Sequence, residues 1–287
     1  MRLGISLYSY MKNIHNGSMT LFDAIKSAKE SGYETVEFIT LTPPDDMDIS
    51  QYAEKLKEAC DNAGIIPAGY MVSRDFYNGN ENDITNEMVN AKKDLDIAAV
   101  LGASYLRFDV IGWTPIYRTG YRKVIDNIAP YIREVASYGE SLGIKTMTEN
   151  HGTYLQESYR MEYLMEKVDH PNYGICLDMG NFLCCDEDPV IAVGRLAPYA
   201  YNLHAKDFLY KDGALPYPGD GWFPSRGGNH LRGTIVGHGV VPVPQCIKIM
   251  TNAGYTGNIV LEFEGLEDPV DAANKGYAYL SKIINNI

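Results

Sequence analysis

The run VASYGESLGIKTMTEN, residues 135–150, decides how the rest of the chain reads. Its first half is an amphipathic stretch closed by Gly143, and its second half is a short β-rich run ending in a carboxylate, Glu149. A glycine after the last helical turn supplies a left-handed cap, and the apolar run behind it reads as a buried strand. The same plot recurs on both sides. KSAKESG (26–32) leads into YETVEFI, KEACDNAG (57–64) into IIPAGYMV, and DIAAVLGA (96–103) into SYLRFDV. Further on, EKVDHPN (166–172) leads into YGICLDM, RLAP (195–198) into YAYNLHAKD, and TNAG (251–254) into YTGNIVLEFEG. With RLGISLYS (2–9) at the start, the count reaches eight strands. Helical patterns separate them over 18–31, 49–63, 84–101, 118–142, 157–168, 188–197, 244–253 and 269–285.

Strict alternation of strand and helix predicts parallel strands joined by right-handed crossovers. Eight such units fit a closed (β/α)8 TIM barrel that fills one domain, residues 1–287. An open, doubly wound sheet would want a glycine fingerprint after an early strand, and neither GISLYSYMK nor VEFITLTPP supplies one. The stretch 208–243 is rich in Gly, Pro and aromatic residues and is too long for an ordinary connection. It is expected to be a lid over the barrel mouth.

The composition narrows the function classes. Of the 287 residues, 45% are hydrophobic and 22% charged, which suits a globular chain with a sizeable core. The 25 basic and 37 acidic residues leave a net charge of −12, which disfavours nucleic acid and anionic membrane as partners. The five cysteines are odd in number and lack zinc-knuckle spacing, so reduced thiols are expected. No apolar run approaches roughly 18 residues, and MRLGISLYSY carries no basic-then-apolar leader. The expectation is a cytoplasmic protein acting on a small molecule, with a homo-oligomer left open.

In a barrel of this kind the chemistry sits where strands end. Strand five ends in Glu149, strand six in Asp178, strand seven carries His204 and strand eight Glu262, with Glu264 two residues on. A lone carboxylate at a strand end is more often a helix cap or a salt-bridge partner. Four ionisable groups on consecutive strands, each inside an apolar run, are costly to bury together unless a cation balances them. Three carboxylates and one imidazole form a hard site that suits one divalent ion, Mn²⁺ first, with Mg²⁺, Co²⁺ or Zn²⁺ as alternatives. Alternation along strand five puts His151 on the same side as Glu149, as a general base or acid. Lys206 follows His204 by two residues and is placed to reach a carbonyl or alkoxide oxygen.

IKTMTENHG, GICLDMGNF, YNLHAKD and GNIVLEFEG resemble the strand-five to strand-eight signatures of the xylose isomerase-like, sugar-phosphate isomerase/epimerase superfamily. MRLGISLYS and GYETVEF also fit, so the likeness spans nearly the whole chain. The resemblance implies that Glu149, Asp178, His204 and Glu262 are metal ligands. It further implies that Glu149 and Glu262 exchange the substrate proton, one on each face. Arg232, in RGTIVGHG, is similar to a substrate-binding arginine of the epimerases, and His238 lies in the same segment. The chain also departs from the ketose 3-epimerase pattern. Asn181 stands where those enzymes place a histidine after the strand-six aspartate, and Leu155 stands where they place a second glutamate.

Proton abstraction next to a polarised carbonyl, through an enediolate, is the step these relatives share. Returning the proton gives an isomerase or epimerase of a keto-sugar or related polyol ketone. Expelling a β-substituent gives the alternative, a lyase of the inosose-dehydratase type or a deglycosidase of an oxidised glycoside. A DNA-repair endonuclease of the same fold would need many more histidines than the six present. A binding module without catalysis would be expected to lose ligands that this chain keeps. Tyr8, Trp113, Tyr154 and Trp222 stand in or near strand-end loops, where they are placed to stack on a sugar ring.

Overall fold

The computed structural model describes residues 1–44, 46–77, 81–112 and 120–286. Trp113 therefore lies outside the described residues. Seven strands come first: β1 (Arg2–Ser6), β2 (Thr35–Ile39), β3 (Ile66–Val72), β4 (Tyr105–Phe108), β5 (Lys145–Glu149), β6 (Tyr173–Asp178) and β7 (Ala200–Ala205). The chain then forms β8 (Asp207–Lys211), β9 (Phe223–Pro224) and β10 (His230–Thr234) before returning as β11 (Asn258–Leu261). β1 to β7 and β11 close into an eight-stranded barrel in the order β1-β11-β7-β6-β5-β4-β3-β2, every pair parallel. This is the TIM barrel that the alternation predicts.

The helices are α1 (Met11–His15), α2 (Leu21–Glu30), α3 (Ile49–Ala63), α4 (Glu81–Leu101), α5 (Tyr121–Ser141), α6 (Ser158–Val168), α7 (Pro189–Leu196), α8 (Val243–Asn252) and α9 (Pro269–Ile284). Their ends follow local chemistry. Thr20 and Asp23 form a reciprocal capping box at the start of α2. Asp188 and Asp268 cap α7 and α9, each followed by a proline whose missing N–H costs nothing there. Gly64 ends α3 in the left-handed region at φ 67°, where a side chain would be strained. The short 3-10 turn Leu7–Tyr10 and α1 were not anticipated, because neither is long enough to show a period. Among the described residues no helix is long and apolar enough to cross a membrane.

Side-chain alternation sorts the barrel into layers. Leu106, Leu177, Leu203 and Leu261 face outward and join the main core under the helices. Tyr105, Met147 and Cys176 face inward and pack with Ala68 as a separate cluster. Two residues further along the same strands, the inward positions become Arg107, Glu149 and Asp178, all buried. The interior thus passes from apolar to charged at the C-terminal mouth.

The expected lid contains a sheet of its own. β8, β10 and β9 pair antiparallel in that order, with Phe208 opposite Gly233, Tyr210 and Phe223 opposite Leu231, and Leu209 opposite Arg232. Asp207 anchors this insertion. Its carboxylate accepts backbone N–H bonds from Phe208, Gly237, Gly239 and Val241 at 2.8–3.0 Å. A Cβ on Gly239 would lie 2.2 Å from Asp207 Oδ1, so only glycine lets the returning chain come this close.

Candidate active site

Glu149, Asp178, His204 and Glu262 meet at the barrel mouth, each buried, with ligand atoms all within 4.8 Å of one another. They converge because each stands at the inward position of its strand end, and β6 and β7 are in register at Asp178 and His204. His204 Nδ1 lies 3.4 Å from Glu262 Oε2 and 3.8 Å from Glu149 Oε1. The opposite ring nitrogen, Nε2, is 2.9 Å from Glu37 Oε2. Glu37 is itself fixed by Asn202 Nδ2 at 2.6 Å and by the Tyr105 hydroxyl. An imidazole that gives one N–H to a buried carboxylate offers its other nitrogen as a lone pair in a set orientation.

The site fits a divalent cation on its own evidence. Asp178 Oδ2 and His204 Nδ1 are buried, face this cluster and have no hydrogen-bond partner. Such orphaned polar atoms cost free energy in a closed interior. Six carboxylates crowd the mouth: Glu37, Asp109, Glu149, Asp178, Glu262 and Glu264. Arg107 and Lys206 are the fixed cations among them. With neutral imidazoles the anions are four in excess, which a dication partly offsets. Glu149, Asp178, His204 and Glu262 are the residues that would hold it. Burial, joined by the charges of Glu149 and Glu262, pushes the Asp178 carboxyl up, to about 7, against the pull of Lys206 and His204.

The two glutamates are not equivalent. Glu149 is held on both oxygens, by Arg107 Nη2 at 2.8 Å on Oε2 and by Asn181 Nδ2 at 2.9 Å on Oε1. Glu262 Oε2 has Lys206 Nζ at 2.8 Å. Burial would raise the Glu262 carboxyl, but Lys206 and then His204 hold it well below the usual range. Burial would likewise strip Lys206 of its proton, but Glu262, Glu264 and Asp178 keep it a cation. Asn181 connects the two sides, because its Oδ1 also accepts from Lys206 Nζ at 3.3 Å.

His151 sits beside Glu149, with Nδ1 3.3 Å from Asp109 Oδ1 and 30% of its side chain exposed. Burial lowers this imidazole, yet the hydrogen bond and charge of Asp109 more than offset that, and the net shift is upward. Asp109 is anchored in turn by Arg107 Nη2 at 2.9 Å. Arg107 therefore orients both Glu149 and the partner of His151.

Two adjoining lobes open above these groups and share Tyr8, His151, Lys206 and Glu264. One, of about 490 Å³, lies over Arg107, Glu149 and Glu262. The other, of about 420 Å³, runs under the insertion sheet past Phe208, Phe223 and Arg226. The insertion thus stands over the mouth, and Asn181, Lys206 and His151 face the cavity.

Arg232 and His238, expected at the substrate from the RGTIVGHG segment, are not among the residues that line either lobe. In the antiparallel sheet Phe208, Phe223, Leu231 and Gly233 share the cavity face. Arg232 is offset by one residue and points away, its guanidinium 5.4 Å from the Trp222 ring. His238 lies in an exposed turn. Arg226 lines the cavity instead. Its guanidinium bonds Glu157 Oε1 and the Thr153 carbonyl, and the Arg226 backbone N–H donates to the Cys184 carbonyl at 2.9 Å. Tyr154 packs beside Arg160 rather than against either lobe.

Sequence reasoning missed Glu37, Arg107, Asp109 and Arg226. The first three had a signal, being charged residues inside the apolar runs YETVEFI and SYLRFDV. Arg226 had none, since it lies in an irregular loop.

A family profile described as "Xylose isomerase-like TIM barrel" matches residues 25–283 of the chain. Among named proteins of similar sequence is an inosose dehydratase of Mesomycoplasma hyopneumoniae, 21% identical over 299 residues that cover 94% of this chain and 90% of that protein. A solved structure titled IOLI protein with a binding zinc atom superposes with a TM-score of 0.78 at 14% identity, covering 100% of this chain and 99% of the other. That of an L-ribulose 3-epimerase superposes with a TM-score of 0.75 at 13% identity, covering 99% and 95%.

Proposed function

The chain belongs to the xylose isomerase-like TIM barrel family, and on that premise we propose that it is a divalent-metal-dependent lyase of a polyol ketone. The observation that carries this reading is the unequal setting of the two glutamates, with His151 on the side of the fixed one. The bound cation, Mn²⁺ first among the divalent candidates, supplies electrostatic stabilisation of the charge that develops on the substrate carbonyl.

This chain's own groups supply the rest. Glu262, anionic beside Lys206, takes the proton alpha to the carbonyl on its carboxylate. Lys206, kept cationic by three carboxylates, faces the oxygen on which negative charge grows. Glu149 is tied by Arg107 and Asn181, so it orients and does not exchange protons. The bond to the β-oxygen breaks as that oxygen takes a proton from His151. With Nδ1 given to Asp109, that transfer falls to Nε2. The inosose dehydratase likeness supports the same reaction class.

An epimerase is the second reading. It is favoured by the placement of Glu149 and Glu262 on opposite sides of one site and by the likeness to an L-ribulose 3-epimerase fold. The experiment that separates the two uses metal-loaded protein with inososes and keto-sugars in deuterated water. Loss of water with formation of an enone-derived product supports the lyase. Deuterium at a single carbon of an otherwise unchanged sugar would overturn it in favour of the epimerase. Asp178→Asn should cut metal content by roughly tenfold or more, read by elemental analysis. Unchanged content would remove the quartet as the metal site.

A further inference from the structure

The second lobe, under the insertion, adds to the space over the glutamates. The lobe over the glutamates alone has about 490 Å³, within the roughly 300–1,000 Å³ of small-molecule sites. A further 420 Å³ opens beside it, on the far side of His151 and Lys206. Its walls differ in character. Phe208 and Phe223 meet edge to face at 5.7 Å between ring centres and 79° between planes, with Pro224 next to them. Phe208 is buried behind Phe223, which stays partly exposed, so Phe223 presents the ring surface on which a third flat ring can stack.

Both cations that line this lobe, and the Ser225 hydroxyl, are already committed. Arg226 is held by Glu157 and the Thr153 carbonyl, and Ser225 Oγ donates to Asp186 Oδ1 at 2.6 Å. Lys206 is held by Glu262 and Glu264. Among the described residues that line the lobe, neither cation is left over to receive a phosphate or a carboxylate. An uncharged, flat, apolar group satisfies the wall formed by Phe223 and Pro224. Register places the rings: Phe208 opposite Gly233 and Phe223 opposite Leu231 put both on the cavity face of the sheet.

We infer that this lobe is a subsite for an aromatic substituent, so that the substrate class is a polyol ketone bearing an aryl group. The inference rests on the polyol-ketone reading of the neighbouring lobe. His151 and Glu264 line both lobes, so they border the bond that joins ring to substituent.

Titration calorimetry of the metal-loaded protein with 4-nitrophenyl β-D-glucopyranoside and methyl β-D-glucopyranoside tests it. The aryl glycoside should bind roughly tenfold more tightly or better. Phe223→Ala should erase most of that preference, and Phe223→Leu, which keeps the apolar surface without the ring, should retain part of it. Phe223 lies in the insertion and outside the barrel core, so neither change should unfold the protein, which circular dichroism checks. No preference for the aryl probe, whether both bind alike or neither binds, would overturn the subsite, as would a preference unchanged in Phe223→Ala. Aryl preference in a protein that turns over no polyol ketone would sink the proposed reaction and spare the subsite.

Discussion

The two sides of the barrel mouth carry the same residue on the same kind of strand end and treat it differently. On the β5 side, Glu149 is gripped by Arg107 and Asn181, one on each oxygen. On the β11 side, Glu262 meets a buried ammonium, Lys206, on Oε2 and shares it with Glu264. A planar guanidinium and an amide fix both oxygens of Glu149, whereas the point charge of Lys206 meets Glu262 on Oε2. The difference teaches that ligand identity alone does not assign a proton carrier, because the neighbours of each carboxylate decide whether it can accept one.

The sharpest way to break this comparison is to remove the charge from each side in turn. Glu262→Gln should lower kcat on the order of 10⁴-fold, while a parallel loss of metal should be larger in Glu149→Gln. Steady-state rates alongside elemental analysis read both. Equal effects on both quantities in the two variants would mean the sides are equivalent, as a two-glutamate epimerase requires.

His151 belongs to the fixed side and sharpens the contrast next. His151→Ala should cost roughly 10²–10³-fold in kcat if it protonates a leaving oxygen, with metal content unchanged. A silent variant would leave the lyase without its acid. Arg107 tests the grip itself. Arg107→Met leaves Glu149 and Asp109 buried without their partner, and should lower stability by about 3–5 kcal/mol in denaturant unfolding. A loss under about 1 kcal/mol would show that the fixed side does not depend on it. The smallest effect is expected outside both sides. Arg232 lies on the outer face of the insertion sheet, so Arg232→Ala should change kcat/KM by no more than about twofold. A large loss there would mean the lid closes in another register.

The barrel and the four groups that converge at its mouth were legible because each rests on a local rule. A glycine stop followed by an apolar run marks a strand, and a charged residue at the end of such a run stands out against it. Glu149, Asp178, His204 and Glu262 each satisfy that rule without reference to one another, and eight repeats of the plot leave a closed parallel barrel as the compact solution. His151 followed by simple alternation from Glu149. The same alternation would have pointed to Glu37, Arg107 and Asp109, whose charges sit inside apolar strands.

The remainder depended on distance in sequence. Glu37 reaches His204 across 167 positions and Arg226 reaches Glu157 across 69, and no local pattern encodes such pairings. Arg232 and Phe223 were decided by the register of a three-stranded antiparallel sheet, in which a shift of one residue moves every side chain to the opposite face. The sequence by itself determined which strands end in a carboxylate or an imidazole, since period and polarity are properties of neighbours along the chain. Only the tertiary structure decided which glutamate is held and which arginine faces the cavity, because contacts between distant segments set both.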